Sequence, residues 1–112
     1  MNMKERIDQL RSRKLLFRST QTIDPKVLGV KKRVDILKCV DQNSFYHFII
    51  FIDAKSRFLQ KNGEEVEAIY QKTVQFCDHN FKYRHVFIQN GLCSKARKRL
   101  EEKGWKVYND PV

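Results

Sequence analysis

Three charged residues lie within or directly after the two most apolar segments of this 112-residue chain. Asp35 lies inside the first segment, and Asp53 and Lys55 follow the run Phe48–Ile52 in the second. Side chains two positions apart on a strand point the same way, and a hairpin between the segments would bring Asp35 close to Asp53. Two carboxylates can hold Mg²⁺ or Mn²⁺ through oxygen, and a lysine ammonium can orient water or balance phosphate charge. These residues therefore indicate metal-dependent chemistry on a phosphate ester.

The same residues also have a purely structural interpretation. Asp53 and Lys55 would form an ordinary ion pair at the end of a strand, and such a pair contributes little stability. Asp35 is harder to explain in this way, because a carboxylate between Val34 and Ile36 in a central strand needs a partner or a metal. On an edge strand, however, Asp35 would simply be solvated.

The chain is strongly basic, with 23 Lys and Arg against 13 Asp and Glu and a net charge of +10. Residues 1–38 carry a net +7 and residues 81–112 a net +5, whereas residues 39–80 carry −2. A small protein this basic usually binds a polyanion, so we expect nucleic acid as its partner, and DNA rather than RNA. The residues expected to contact phosphates are Lys31, Lys32, Arg33, Arg57, Lys95, Lys98 and Arg99. The alternative is a solvated basic surface with no ligand.

Length and composition exclude several classes of protein. The chain suits a single domain over 1–112. Its longest apolar run has five residues, against about 20 in a membrane helix, and its first residues lack the apolar core of a secretory signal. Cys39, Cys77 and Cys93 are widely spaced without a Cys-x-x-Cys pair, which disfavours a disulfide framework or a zinc site. We therefore expect a cytoplasmic protein with reduced thiols and no membrane association.

Hydrophobic periodicity and turn residues predict an α/β fold. The expected elements are a helix over 4–14, a short strand over 15–18, a loop over 19–28, strands over 33–40 and 45–58, a helix over 64–79 with Asn62 as its N-cap, a strand over 83–89, a helix over 94–103 and a strand over 105–108. The turn at 41–44 joins the two central strands as a hairpin. We expect one domain with a central mixed sheet of four or five strands and about three flanking helices.

Two groups of side chains have an expected orientation. In the first helix, Ile7 and Leu10 share the core face, and the side chains expected in solvent are those of Lys4, Arg6, Arg11 and Arg13. Five aromatic residues fit either a core position or a surface that stacks on nucleic-acid bases, with the core favoured. These residues are Phe45, Tyr46, Phe58, Phe81 and Tyr83.

The spacing of the two acids resembles a known family. An aspartate, 17 intervening residues and then Asp-Ala-Lys-Ser-Arg, followed by a helix and a strand, resemble the PD-(D/E)xK nuclease superfamily. The layout is similar to that of the archaeal Holliday-junction resolvases. In that family a helix carries a glutamate, one strand carries Pro-Asp, and the next carries Glu-x-Lys-Ser-Arg. Here Val34 stands in place of the proline, and Asp53 in place of the second glutamate.

This resemblance implies a restriction-endonuclease-like fold and a Mg²⁺- or Mn²⁺-dependent nuclease. It implies that Asp35 and Asp53 are metal ligands, that Glu5 is a third acid at the metal, and that Lys55 is the catalytic lysine. It also implies a homodimer, since two cuts need two sites. Without the resemblance, two other functions remain open, in which the aspartates are structural: a non-catalytic DNA- or RNA-binding module, or a small interaction subunit.

A second resemblance competes with the first. The segments Ile52–Arg57 and Val86–Gly91 are similar to a truncated RNase H-like integrase core, which has Ile-Asp-x-x-Ser-Arg and later Asp-Asn-Gly. In that family the aspartate of Asp-Asn-Gly binds metal, and here Gln89 occupies its position. This alternative therefore predicts a protein without integrase activity.

Overall fold

The computed structural model describes residues 3–31, 34–53, 57–89 and 91–109. Its elements are helix α1 (Met3–Ser12), strand β1 (Ser19–Ile23), a 3₁₀ turn (Pro25–Leu28), strands β2 (Val34–Val40) and β3 (Tyr46–Ile52), helix α2 (Gln60–Cys77), strand β4 (Tyr83–Ile88), helix α3 (Ser94–Glu102) and strand β5 (Trp105–Tyr108). No described helix has both the length and the apolar character needed to cross a membrane.

The five strands form one mixed sheet in the order β1-β2-β3-β4-β5. Strand β2 runs antiparallel to both β1 and β3, whereas β3, β4 and β5 run parallel to one another. The two parallel connections contain α2 and α3, as parallel pairing requires a crossover. The predicted α/β domain with a mixed sheet and three helices is confirmed.

Strand β3 lies at the centre, and its residues Phe48 to Phe51 are fully buried on both sides of the sheet. One side, which we call the apolar face, packs against α2 and α3. Its buried side chains include Ile36, Phe48, Ile50, Val66, Ile69, Tyr70, Val86, Leu100 and Trp105. The other side, which we call the polar face, packs against α1. Its buried side chains are Leu10, Leu37, Cys39, Ile49, Phe51 and Phe87, together with Arg6, His47 and His85.

The sequence misplaced the first strand. Residues 15–18 are not a strand, because Leu15 and Phe17 instead pack against the core of the polar face. Strand β1 falls within the predicted loop, where Ser19–Ile23 pairs with β2 at the edge of the sheet. Only Ile23 of β1 is buried, so the segment has almost no hydrophobic pattern that could have indicated a strand.

Two element boundaries also differ from the prediction. Strand β3 ends at Ile52, so Asp53 follows the strand rather than lying within it. Helix α2 begins at Gln60, and its N-cap is Leu59 rather than Asn62. The Asn62 side chain still serves the helix end, because its Oδ1 accepts a hydrogen bond of 2.8 Å from the Leu59 N–H.

Candidate functional site

Asp35 and Asp53 lie on neighbouring strands at one end of the sheet. Asp35 is the second residue of β2 and pairs with Phe51 of β3, and Asp53 lies two positions beyond Phe51. All three side chains therefore belong to the polar face. The side chains of Asp35 and Asp53 are 39% and 35% exposed, so solvent reaches both carboxylates. The predicted proximity of the two acids is thus present in the structure.

A single buried arginine joins these carboxylates. Arg6 of α1 is 2% exposed, and its Nε donates to Asp35 Oδ2 at 3.0 Å. Its second hydrogen bond runs from Nη2 to Asp53 Oδ2 at 2.5 Å. The guanidinium also lies over the Phe51 ring, 4.7 Å from its centroid. Charge-assisted bonds of this kind fix orientation as well as charge, so Arg6 holds both acids in place and offsets their mutual repulsion.

The helical pattern predicted that Arg6 faces solvent, and this prediction was wrong. Met3, Ile7 and Leu10 all pack into the core of the polar face, and Arg6 lies on the same side of α1. A signal was present in the spacing, since Arg6 and Leu10 are one helical turn apart. A charged residue in an apolar stripe indicates a buried partner of opposite charge, and the two aspartates supply that partner.

Of the other predicted site residues, the structure describes Glu5 but not Lys55. Lys55 lies outside the described residues, so its role stays a prediction from the sequence. Glu5 is exposed on α1. No group of three His, Cys, Asp or Glu side chains suited to a metal occurs within the described part of the chain, although Glu5, Asp35 and Asp53 all belong to it.

Gln89 lies beside Asp53 at the end of the parallel pair. Ile52 pairs with Ile88, and the Gln89 N–H donates to the Ile52 carbonyl at 3.3 Å. The residue that replaces an integrase aspartate is therefore a neighbour of the second acid. An amide can accept or donate hydrogen bonds there without adding charge.

Several of the predicted phosphate-binding residues flank this end of the sheet. Lys31 is exposed just before β2 and lines a groove of about 700 Å³ together with Lys26 and Val34. Arg57 is exposed a few residues after Asp53. Lys32 and Arg33 lie outside the described residues. Basic residues thus precede Asp35 and follow Asp53 closely in the chain.

Helix α3 carries the remaining predicted phosphate contacts. It follows the end of β4, so its first turn begins at the end of the sheet where β3 leads into Asp53. Lys95, Lys98 and Arg99 are exposed and line one shallow depression with Gln60 and Glu102. Because α3 packs on the apolar face, these cations lie across the sheet from α1.

A second polar cluster on the polar face was not anticipated. Asp41 Oδ2 lies 2.8 Å from His47 Nε2, His47 Nδ1 lies 2.9 Å from His85 Nε2, and His85 Nδ1 lies 3.1 Å from the Tyr108 hydroxyl. Since a carboxylate only accepts, His47 Nε2–H donates to Asp41. With both rings neutral, His85 Nε2–H then donates to His47, and the Tyr108 hydroxyl donates to His85.

The environment of this chain of hydrogen bonds favours a neutral His85 ring. Burial lowers the pKa of His85 to about 3, and the nearby charges of His47 and Lys106 act in the same direction. The hydrogen bond from His47 holds the pKa of Asp41 below its ordinary value, and the Phe45 N–H adds to this effect. The cluster therefore satisfies its buried polar groups by hydrogen bonds, with His85 uncharged at neutral pH.

Two solved structures share this fold. The chain superposes on EndoMS in its apo form with a TM-score of 0.58 at 8% identity. It superposes on a repair endonuclease from Pyrococcus abyssi with a TM-score of 0.56 at 11% identity. The fold is restriction-endonuclease-like. These matches cover 100% and 99% of this chain but only 47% of each of the other chains, so this chain spans about half their length.

Comparison with protein-family models gives no match, and comparison with curated proteins gives none either. At 8% and 11% identity, the structural likeness carries the fold and not the chemistry. The shared fold agrees with the fold that the first resemblance in the sequence implies.

The donor set at the acids has the chemistry that Mg²⁺ requires. Mg²⁺ in proteins is usually held by one or two carboxylates, with waters and substrate phosphate oxygens as its other ligands. Asp35 and Asp53 supply two such carboxylates, and both are open to solvent. The Arg6 guanidinium binds one oxygen of each, so a metal ion would share these carboxylates with Arg6 or displace it.

Proposed function

We propose that this protein binds DNA and cleaves its phosphodiester bonds with the help of Mg²⁺ or Mn²⁺. One observation carries the proposal: Asp35 and Asp53 meet at a single solvent-exposed point, held by Arg6, at one end of the sheet. The restriction-endonuclease-like fold and the Asp-x-Lys spacing support it. The net charge of +10 supports a polyanionic substrate.

In this proposal each residue has a distinct task. Asp35 and Asp53 hold the metal ion, which when bound polarises a phosphoryl oxygen and lowers the pKa of a water. Lys55, two residues after Asp53, orients the attacking water and balances the charge that develops on the phosphate. Arg6 is a positioning residue, because it fixes both carboxylates without reaching solvent. Glu5 is proposed as a third acid at the metal.

The basic residues around the acids hold the DNA backbone. Lys31 and Arg57 are exposed on the segments that adjoin Asp35 and Asp53, and Lys32 and Arg33 lie in the first of these segments. Helix α3 adds Lys95, Lys98 and Arg99. Contacts of this kind position the substrate without reading its sequence, and they make binding strongly dependent on salt.

A second candidate function is a DNA-binding module without catalysis. The Arg6 guanidinium favours this alternative, because it already forms a hydrogen-bonded ion pair with each acid. A hydrogen-bonded ion triad of this kind can be purely structural. In that case the basic residues would still bind DNA, and the aspartates would serve to anchor α1 to the sheet.

Cleavage of labelled DNA, with RNA of the same sequence in parallel, tests the proposal. The protein is incubated with Mg²⁺, Mn²⁺ or EDTA, beside the variants Asp35→Asn, Asp53→Asn and Lys55→Ala. Asp8→Asn is the matched control, because Asp8 is an exposed aspartate elsewhere on α1. Circular dichroism and DNA binding in EDTA establish that each variant folds and still binds.

If the protein is the proposed nuclease, it should cleave DNA only with metal, and Asp8→Asn should keep this activity. The cleavage rate should fall at least a hundredfold in Asp35→Asn and in Asp53→Asn. Lys55→Ala should lose cleavage by a similar factor while binding remains. Salt-sensitive DNA binding with no cleavage in either metal would instead establish the non-catalytic module. Cleavage that persists in Asp35→Asn and Asp53→Asn would place the active centre elsewhere.

Two further properties follow from the proposal. The cysteines within the described residues are free, which suits a reducing compartment, and we propose a cytoplasmic location. We also propose a homodimer, since cutting both strands of a duplex needs two sites. Analytical ultracentrifugation with and without duplex DNA tests this, and a monomer in both conditions would contradict it.

A further inference from the structure

Four side chains form a surface at the end of the sheet opposite the acids, which we call the Phe45–Tyr83 surface. It consists of Phe45, Tyr83, Lys82 and Lys106. Phe45 ends the hairpin turn before β3, Lys82 directly precedes β4, Tyr83 begins β4, and Lys106 lies on β5. The Phe45 side chain is 38% exposed. We propose that this surface binds a single strand of DNA, with unpaired bases on the rings and phosphates on the lysines.

The two rings have the geometry of a small stacking platform. Their centroids are 6.4 Å apart and their planes meet at 76°, so the edge of one ring faces the other. The Tyr83 ring is held in place because it stacks on the ring of buried His47, with the two centroids 4.6 Å apart. The main chain is fixed too, since the Lys82 N–H donates to the Tyr46 carbonyl at 3.0 Å. A ring held in place loses little entropy when a base stacks on it.

The two lysines place positive charge directly beside the rings. Lys82 Nζ lies 3.6 Å from the centroid of Phe45 and 5.6 Å from that of Tyr83. Lys106 Nζ lies 5.3 Å from the Tyr83 centroid. Within the described part of the chain, no acidic side chain forms an ion pair with either lysine, and both are exposed. Their charges are therefore available to phosphates.

Aromatic rings alternating with cations are what a single-stranded nucleic acid requires. Bases stack on the rings whatever their sequence, and the phosphates between them follow the positive charge. A paired duplex offers no free base face, so the rings favour an unpaired strand. The choice of DNA rests on the function proposed above, whereas the rings and lysines do not depend on it.

The surface is separate from the acids. Tyr46 and Asp53 are seven residues apart along β3, which corresponds to about 23 Å at ~3.3 Å per residue. Changes at Phe45 should therefore leave the Asp35–Asp53 site intact, and changes at the acids should leave single-strand binding intact. Binding measured in EDTA excludes any contribution from cleavage.

Fluorescence anisotropy with a labelled thymidine oligonucleotide tests the proposal. Phe45→Ala should weaken its binding about fivefold or more, as expected for one lost stacking contact. Phe45→Tyr should bind within twofold of the unchanged protein. Phe76→Ala is the matched control, because Phe76 is 58% exposed on α2, and it should bind normally. Lys82→Ala should lower the salt dependence by about 0.7 in the log–log slope.

An abasic oligonucleotide of the same length separates stacking from charge. The unchanged protein should bind it more weakly than the thymidine strand, and Phe45→Ala should cause no further loss. Equal binding of both probes, or equal binding by Phe45→Ala and Phe76→Ala, would overturn the proposal. Binding of RNA but not DNA would also overturn it, as would a dimer in ultracentrifugation that Phe45→Ala dissociates.

Failure of the nuclease proposal gives a different pattern of results. For Asp35→Asn, cleavage and fluorescence anisotropy are measured in separate assays. Its single-strand binding should equal that of the unchanged protein. If the protein never cleaves DNA but the Phe45 variants and the abasic probe behave as expected, the nuclease proposal fails and the single-strand binding proposal stands. Thermal melting within a few degrees of the unchanged protein confirms that each variant is folded.

Discussion

The two faces of the sheet use different means to bury their side chains. On the apolar face, hydrocarbon and aromatic side chains from α2, α3 and all five strands pack together. On the polar face, a smaller apolar cluster is combined with the Arg6 ion triad and the chain of hydrogen bonds through His47 and His85. Apolar packing has no preferred direction, so it tolerates small displacements of side chains better than hydrogen bonds between charged groups do.

The apolar face therefore supplies most of the stability, and the polar face carries the candidate chemistry. Burial of apolar area stabilises a fold by roughly 25 cal/mol per Å², whereas ion pairs must first offset their loss of hydration. The ordered carboxylates therefore add little stability relative to an apolar pair of the same size. They do fix the geometry of two solvent-exposed oxygen ligands, which an apolar pair could not do.

The largest expected effect is the loss of a central ring from the apolar face. Phe48 is fully buried and makes edge contacts with Tyr70, Phe81 and Trp105 at centroid distances of 5.2, 5.8 and 5.7 Å. Phe48→Ala should reduce the free energy of unfolding by about 3–5 kcal/mol, because it leaves a cavity. Urea denaturation measures this, and a loss below about 1 kcal/mol would contradict the role assigned to this face.

Removal of Arg6 should have a smaller but still large effect. Arg6→Met should reduce the free energy of unfolding by about 2 kcal/mol, below the ~3–5 kcal/mol of a fully buried pair, because both aspartates are more than a third exposed. Addition of Asp53→Asn should recover part of the loss. Arg11→Met, an exposed arginine on the same helix, is the control and should change stability by about 0.5 kcal/mol or less.

Acid should weaken the polar face through His85. The folded protein keeps His85 neutral because its pKa is lowered to about 3, whereas the unfolded chain takes up a proton below about 6.5. Stability should therefore be unaffected by this group above pH 6.5 and fall by at most about 1.4 kcal/mol per pH unit below it.

Urea denaturation between pH 7 and 4.5 measures this slope. Asp41, whose pKa is also lowered, adds a loss in the same direction only under more acid conditions. His85→Phe should abolish most of the slope, although it leaves His47 Nδ1 without its partner and lowers stability at every pH. An unchanged slope in this variant would show that another group controls the acid response.

The smallest effect is expected at the start of α2, which packs on the apolar face. Asn62→Ala removes the bond between its Oδ1 and the Leu59 N–H and should cost about 1 kcal/mol. Gln71→Ala, at an exposed position inside the same helix, should change stability by no more than about 0.5 kcal/mol. Equal changes in the two variants would contradict a stabilising role for the Asn62 side chain at the helix end.

Much of the fold could be predicted because it depends on local patterns. Strand β3 was indicated by an apolar run that contains aromatic and β-branched residues, and the turn at 41–44 indicated its hairpin with β2. Helix α3 and strand β5 were predicted to within a residue or two, since a polar helix followed by Gly104 gives a distinct end signal. Strand β1 gave no such signal because its stability comes from pairing with β2.

The sequence alone determined that two acids on a hairpin could lie together and that the protein is basic enough to meet a polyanion. Only the tertiary structure decided how those acids are held. Arg6 reaches Asp35 and Asp53 from 29 and 47 residues away, and its inward orientation depends on how α1 crosses the sheet. The bond between His47 and His85, 38 residues apart, depends likewise on the register of β3 and β4. Periodicity encodes which side of an element is buried, but a charged side chain is buried only where distant partners offset its loss of hydration.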